Sequence, residues 1–116
     1  MSKSPLREKS FELAKLILKL SKELTAQKEF VLSRQILRSG TNPGAMVREA
    51  ANAESKRDFI HKLKIAQKEV GETQYWLELL LDGEYIDKNR FKEINSLSEE
   101  IMKMIRSSVI TASKSL

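Results

Sequence analysis

A chain of 116 residues with 41% hydrophobic and 32% charged side chains has the makeup of one globular domain that can bury its own core. It holds no cysteine, which excludes disulfides, a thiol nucleophile and cysteine-bound zinc, and no apolar run approaches the length of a membrane span. The formal net charge is +5, and the whole excess falls in residues 1–60, with 12 basic against 7 acidic side chains, while residues 61–116 balance at 9 and 9.

Only four glycines and two prolines punctuate the chain, which points to long helices with few turns. Ser4 followed by Pro5 opens the first helix, as an N-cap serine and a proline at the first helical position. Leu13, Ile17, Leu20 and Leu24 form one apolar stripe on it. Phe11, Ala14 and Leu18 form a second stripe about 100° round the axis. The pattern stops near Thr25–Lys28, so this helix is predicted over 5–27.

The second helix begins near Glu29 or Phe30 and carries Val31, Ile36 and Leu37 before it meets Gly40-Thr41-Asn42-Pro43-Gly44. Proline lacks the backbone donor and crowds the carbonyl four residues back, so the helix either breaks here or continues with a kink. A long rod is needed to cover three other long helices, which favours a kinked helix over 29–53. Gly40 and Gly44 stand one turn apart, so a neighbouring backbone can come close there.

Ser55 and Asp58 make a start resembling a capping box, with aspartate in place of glutamate. The stretch that follows, SKRDFIHKLKIAQKEVGETQYWLELLL, places Phe59, Leu63, Ala66, Val70, Thr73, Leu77 and Leu80 in a seam stepping by four and three. This third helix is predicted over 55–82, with Gly83 suited to a left-handed C-terminal position. Asp87 is the expected cap of a fourth helix over 87–113, whose seam starts at Phe91 or Ile94 and runs through Leu97, Ile101, Met104 and Ile105 to Val109 or Ile110.

Four long helices with short connections must pack antiparallel to their neighbours. The predicted fold is therefore all-α, a single up-down-up-down four-helix bundle over residues 1–116. A bundle helix needs one apolar face, yet the first helix has two stripes and the third ends in Tyr75-Trp76-Leu77-Glu78-Leu79-Leu80-Leu81, apolar almost all round. Surplus apolar surface on a small chain calls for a partner, and a second copy of the same chain is the simplest. The N-terminal segment shows no apolar run followed by a small-residue cleavage site, so a cytoplasmic location and no membrane partner are expected.

Chemistry-bearing patterns are few. Asp58 and His61 have the carboxylate-x-x-histidine spacing of helix-bundle metal sites, but a di-iron bundle needs two such motifs and this chain has one histidine, so no metal is expected. Arg57 and His61 stand four apart on one helical face, a spacing that could serve an RNase as charge stabiliser and general acid/base, though no second polar catalytic residue accompanies them. No triad-like setting and no phosphate loop is present, so neither a catalytic residue nor a cofactor is predicted. Gln35, Arg34, Arg38, Glu49, Glu69 and Glu72 border the seams and read as inter-helix hydrogen bonds or ion pairs. Arg48, Lys56, Arg57, Lys62, Lys64 and Lys68 make the densest basic cluster, at the corner between the second and third helices, and are the candidate nucleic-acid contacts. Arg7, Lys9, Lys15, Lys19 and Lys22 make another basic set. Aromatics interleaved for base stacking are scarce, so contact through backbone charge and shape is expected.

Three segments together carry a family resemblance: SRQILRSGT from Ser33, Arg48-Glu49-Ala50, and SKRDFIHKLKIAQKE from Ser55 followed by Glu72-Thr-Gln-Tyr-Trp-Leu77. In this order and spacing they resemble the bacterial four-helix bundle proteins encoded in intervening sequences of 23S ribosomal RNA genes. The accessory variability protein of diversity-generating retroelements belongs to the same fold family. The match spans residues 6–112. The chain departs from the family pattern at Pro43, where an aliphatic residue is usual, and at Met46, where asparagine is usual. The resemblance implies a ring-like homopentamer. For the retroelement members it further implies a basic surface that binds RNA and a reverse transcriptase. It carries over no enzymatic activity and no catalytic residue. Three functions stay open at this point: an oligomeric non-enzymatic bundle that binds structured RNA or DNA, a protein-interaction scaffold, and an RNase using Arg57 and His61.

Overall fold

The structure, a computed structural model, describes residues 4–116. Four helices follow in order: α1 (Pro5–Ala26), α2 (Phe30–Ala51), α3 (Lys56–Asp82) and α4 (Lys88–Ser113). No strand occurs among the described residues. α1 packs on α2, α2 on α3, α3 on α4, and α4 back on α1 through the sparsest of the four seams. Among the described residues the backbones of the diagonal pairs make no close approach, so the rods stand in a closed square, 47 × 26 × 21 Å overall. This is the expected four-helix bundle, with consecutive helices antiparallel.

The caps follow the sequence. Ser4 Oγ accepts from the Arg7 amide at 3.2 Å, with Pro5 behind it. Glu29 Oε1 accepts from the Leu32 amide at 3.0 Å. Ser55 Oγ accepts from the Asp58 amide at 3.0 Å, and Asp58 Oδ2 reaches back to the Glu54 amide at 3.4 Å. Asp87 Oδ1 accepts from the Arg90 amide at 2.7 Å. Each satisfies an amide that the first helical turn leaves without a partner. Ser55 and Asp87 keep extended angles as caps, so the helices begin one residue after them.

The third helix ends differently from the expectation. Gly83 has φ −80°, and the left-handed residue is Glu84, with φ 63°. The Glu84 amide donates to the Leu81 carbonyl at 3.1 Å and the Tyr85 amide to the Leu80 carbonyl at 2.9 Å. That pair of bonds is a Schellman motif, whose left-handed place comes one residue after the cap. α1 ends the same way: Lys28 has φ 65°, its amide donates to the Thr25 carbonyl, and the Glu29 amide donates to the Leu24 carbonyl, both at 2.9 Å. Hydrogen bonding of the departing chain sets these turns, and a charged residue accepts the strained angle in each.

α2 runs unbroken through Pro43 and ends at Ala51, two residues short of the predicted 53. Thr41 Oγ1 donates to the Leu37 carbonyl at 2.7 Å in the turn that Pro43 weakens. Packing holds this segment in place. A Cβ on Gly40 would lie 2.5 Å from Ile17 Cγ1, and one on Gly44 would lie 3.4 Å from the Ser10 carbonyl oxygen. The expected close approach at the two glycines is therefore made by α1.

Leu13, Ile17, Leu20 and Leu24 meet Ile36, Leu63, Ala66, Val70, Leu77, Leu80, Ile94, Ile101 and Ile105 in one core, all essentially shielded from water. Each large aliphatic side chain so buried contributes about 1.5–3 kcal/mol. Two seam positions shift. Phe59 stands at the rim while Ile60 is buried, and Met102 is buried where Met104 is only half-covered. Hydroxyls bridge the rods inside this core. Ser33 Oγ donates to the Ser21 carbonyl at 2.9 Å and lies 2.7 Å from Ser21 Oγ and 2.9 Å from Thr25 Oγ1. Thr73 Oγ1 lies 3.0 Å from Ser39 Oγ and 2.9 Å from the Glu69 carbonyl oxygen. Two ion pairs span the closing seam: Lys9 to Glu100 at 3.3 Å, and Glu23 to Arg90 at 2.8 Å, the latter a charge contact without hydrogen-bond alignment.

Candidate nucleic-acid interface

α3 sets the largest part of the basic cluster. Its inward seam leaves positions 57, 61, 64 and 68 pointing outward, and Arg57, His61, Lys64 and Lys68 are all exposed. Among the described residues no carboxylate lies within ion-pair distance of any of the four.

The other three sequence candidates are placed differently. Lys62 is half-buried on the α2 side of α3 and is engaged by Glu49, Nζ to Oε1 3.3 Å. Lys56, at the start of α3, turns toward Ser115 beyond the end of α4. Arg48 reaches across to α1, with its guanidinium carbon 5.2 Å from the centre of the Phe11 ring. Arg48 and Lys62 do share a shallow depression at the α2–α3 corner, lined also by Glu49, Asn52 and Asp58. The six candidates therefore form an outer row on α3, a corner moderated by carboxylates, and one arm that belongs to α1 and α2.

That arm is a feature sequence reading missed. Lys15 Nζ also lies 5.2 Å from the Phe11 ring centre, so an aromatic ring that is 49% exposed holds two cations beside it. The one legible signal was the four-residue step from Phe11 to Lys15; the arginine comes from a helix remote in sequence.

Of the six polar residues expected to bond between helices, Arg38, Glu49, Glu69 and Glu72 do so across the α2–α3 seam. Arg38 Nη1 donates to Glu69 Oε2 at 2.9 Å, and Nη2 pairs with Glu72. Glu72 also accepts from the Trp76 indole at 3.4 Å. Glu49 pairs with Lys62, whereas Arg34 points to solvent. These bonds fix register between two rods.

Asp58 and His61 stand without further ligands: among the described residues no three histidine, aspartate or glutamate side chains gather as a metal set. Among those residues, too, no helix is long and apolar enough to cross a membrane.

Comparison with known proteins places this architecture. The model of the 23S rRNA-intervening sequence protein family matches residues 3–107. The chain belongs to that family. As a 23S rRNA-intervening sequence protein it is also similar to a crystal structure from Bacteroides thetaiotaomicron, described as a protein of unknown function from the S23 ribosomal protein family. The two are 52% identical with a TM-score of 0.88, over 90% of this chain and 97% of that one. No curated protein matches the chain significantly. This chain and that neighbour share the four-rod fold, and a fold does not by itself set a function.

Proposed function

We infer that this member of the family is a non-enzymatic, cytoplasmic, oligomeric bundle that binds structured RNA or DNA through its basic surface. The observation that carries the reading is the set of outward cations on α3, Arg57, Lys64 and Lys68, which have no carboxylate partner among the described residues. Cations of that kind meet phosphates at little desolvation cost and release condensed counterions when they do. The net charge of +5 favours the same class of partner.

Assembly is supported by apolar surface that the single bundle leaves open. Phe11 and Leu18 on α1 are 49% and 45% exposed, and Tyr75 and Leu79 on α3 are 57% and 39% exposed. Lys15, Lys19 and Lys22 flank the first pair, while Glu72, Glu78 and Asp82 flank the second. Two apolar patches with opposite charge on different helices suit a head-to-tail ring of copies, and five is the number the family resemblance implies. The same resemblance makes a reverse transcriptase a candidate partner.

The test is fluorescence anisotropy with a mixed pool of RNA hairpins and DNA duplexes across a salt series. The expected result is affinity that falls linearly in log–log form, by about 0.9 per phosphate contact on duplex DNA. Absence of binding at low salt would favour a protein-interaction scaffold instead. Cleavage of the pool that His61→Ala abolishes would establish an RNase and overturn the non-enzymatic reading.

A further inference from the structure

The last stretch of the chain holds cations that the fold brings beside α3. From Ile101 to Leu116 the sequence carries Lys103, Arg106 and Lys114 and no carboxylate. The even charge balance of the second half conceals this, because Glu93, Glu99 and Glu100 all fall in the first half of α4. Lys103 and Arg106 are exposed, and among the described residues no carboxylate lies within ion-pair distance of either.

Two contacts fix how α4 stands against α3. Lys56 Nζ donates to Ser115 Oγ, and a Cβ on Gly71 would lie 3.9 Å from Met102 Cε. In antiparallel rods these contacts bring Lys68 level with the turn from Lys103 to Arg106, and Lys64 level with the turn after it. The flank of α3 that faces α4 carries Gln67, Gly71 and Gln74, stepping by four and three, all half-buried and all uncharged. The opposite flank holds Lys62, Glu69 and Glu72, whose charges are engaged by α2.

A depression of about 290 Å³ opens at the α3–α4 seam, lined by Gln74, Glu99, Met102, Lys103 and Arg106. Gly71 leaves its floor clear, since the tip of Met102 is all that a Cβ there would touch. Glu99 is the carboxylate of this lining, and its Oε1 accepts from Asn95 Nδ2 at 3.2 Å. The seam is thus a groove with Lys64 and Lys68 along one bank, Lys103 and Arg106 along the other, and amides between them.

We propose that the α3–α4 groove is the seat of the nucleic-acid backbone, with one phosphate strand of a duplex lying along it between those two banks. This rests on the nucleic-acid reading above, moves its centre away from the α2–α3 corner and adds α4 to it. From the level of Lys64 to that of Gln74 the groove runs about 15 Å, which covers about four nucleotides of one strand at 3.4 Å rise. The four cations meet phosphates, and the Gln67 and Gln74 amides donate to the phosphate oxygens that face the floor.

The experiment measures binding of a 20-base-pair DNA duplex by anisotropy across a salt series. The proteins are the wild-type chain, the pair Lys103→Gln with Arg106→Gln, the pair Lys64→Gln with Lys68→Gln, the pair Lys88→Gln with Lys92→Gln, and Gly71→Leu. The six charged positions are exposed, and helical circular dichroism checks that each variant folds. The Lys103/Arg106 pair should lose about 1.8 from the slope of log affinity on log salt, two phosphate contacts, and the Lys64/Lys68 pair the same. The Lys88/Lys92 pair removes equal charge from the other end of α4 and should keep the wild-type slope. Gly71→Leu adds no charge but fills the floor, and should lose affinity at every salt concentration with the slope unchanged. A wild-type slope in the Lys103/Arg106 pair would overturn the proposal, as would an equal loss in the Lys88/Lys92 pair or wild-type affinity in a folded Gly71→Leu. In each of these cases the nucleic-acid reading would survive. No binding by wild type in low salt would remove both.

Discussion

Ile17 fills the space that a side chain at Gly40 would need: a Cβ there would lie 2.5 Å from Cγ1, 2.7 Å from Cγ2 and 2.9 Å from Cβ of Ile17. A β-branched side chain in a helix has essentially one rotamer and cannot swing away. α1 and α2 are therefore locked to each other at this point.

Gly40→Ala is expected to destabilise the bundle by about 1–2 kcal/mol. Overpacking costs about 1–3 kcal/mol, and the better helix propensity of alanine returns part of it. Ile17→Ala alone should cost about 2–5 kcal/mol through its cavity. The two together should cost clearly less than their sum, because each relieves the other's defect. Urea unfolding of the four proteins measures that coupling, and simple additivity would refute the contact.

The two left-handed turn residues predict an effect of opposite sign. Lys28 and Glu84 hold φ near +65° where a non-glycine residue is strained by about 1–2 kcal/mol. Lys28→Gly and Glu84→Gly should each stabilise by up to about 1 kcal/mol, once the extra chain entropy of glycine is subtracted. Gly83→Ala, at φ −80°, should change little, since its Cβ would meet the Leu79 carbonyl oxygen at 3.3 Å with only slight adjustment. Thermal midpoints order the three.

Arg38 and Arg34 separate a bonded arginine from a solvated one. Glu69 has a side chain only 8% exposed and is held by Arg38, which is itself 52% exposed. Removing Arg38 leaves a nearly buried carboxylate with its main partner gone, so Arg38→Ala should cost about 1–2 kcal/mol after solvent screening of the exposed guanidinium is allowed for. Arg34→Ala should stay within about 0.5 kcal/mol. Equal effects in chemical denaturation would contradict the assignment.

Leu77 lies at 0% exposure in the centre of the core. Leu77→Asp places an unpaired charge there at a cost of several kcal/mol, against a total stability of about 5–15 kcal/mol for a domain of this kind. Loss of the helical circular dichroism signal is the expected outcome.

Assembly is tested by a change that spares the fold. Leu18 is 45% exposed, so Leu18→Glu should leave helicity intact while lowering the oligomer mass in multi-angle light scattering. An unchanged mass would exclude this stripe from the interface.

The rods themselves were legible because each physical signal is local. Ser4-Pro5, Ser55 with Asp58, and Asp87 announce helix starts through bonds made within three or four residues. The seams followed from a helical period, which is why Leu63, Val70 and Leu77 were placed correctly and Phe59, one step from Ile60 at a helix start, was not. The left-handed angle fell on Glu84 instead of Gly83 because bonds from the departing chain set it, and residue preference alone could not weigh them. Of the candidate site, the outward cations Arg57, Lys64 and Lys68 of α3 could be named from the sequence. The loss of Lys62 to Glu49 and the reach of Arg48 to Phe11 could not, since both depend on which rod stands beside which.

The square of rods also has a direction of weakness. Three of its edges join helices consecutive in the chain, and only the α1–α4 edge links sequence-distant segments. That edge is the sparsest and leans on Lys9–Glu100 and Glu23–Arg90. Dissolved electrolyte weakens such pairs, while the serine and glycine contacts of α1 against α2 are indifferent to it. The molecule therefore resembles a folded screen with a single latch, and transient opening should start at that latch while the panels stay hinged.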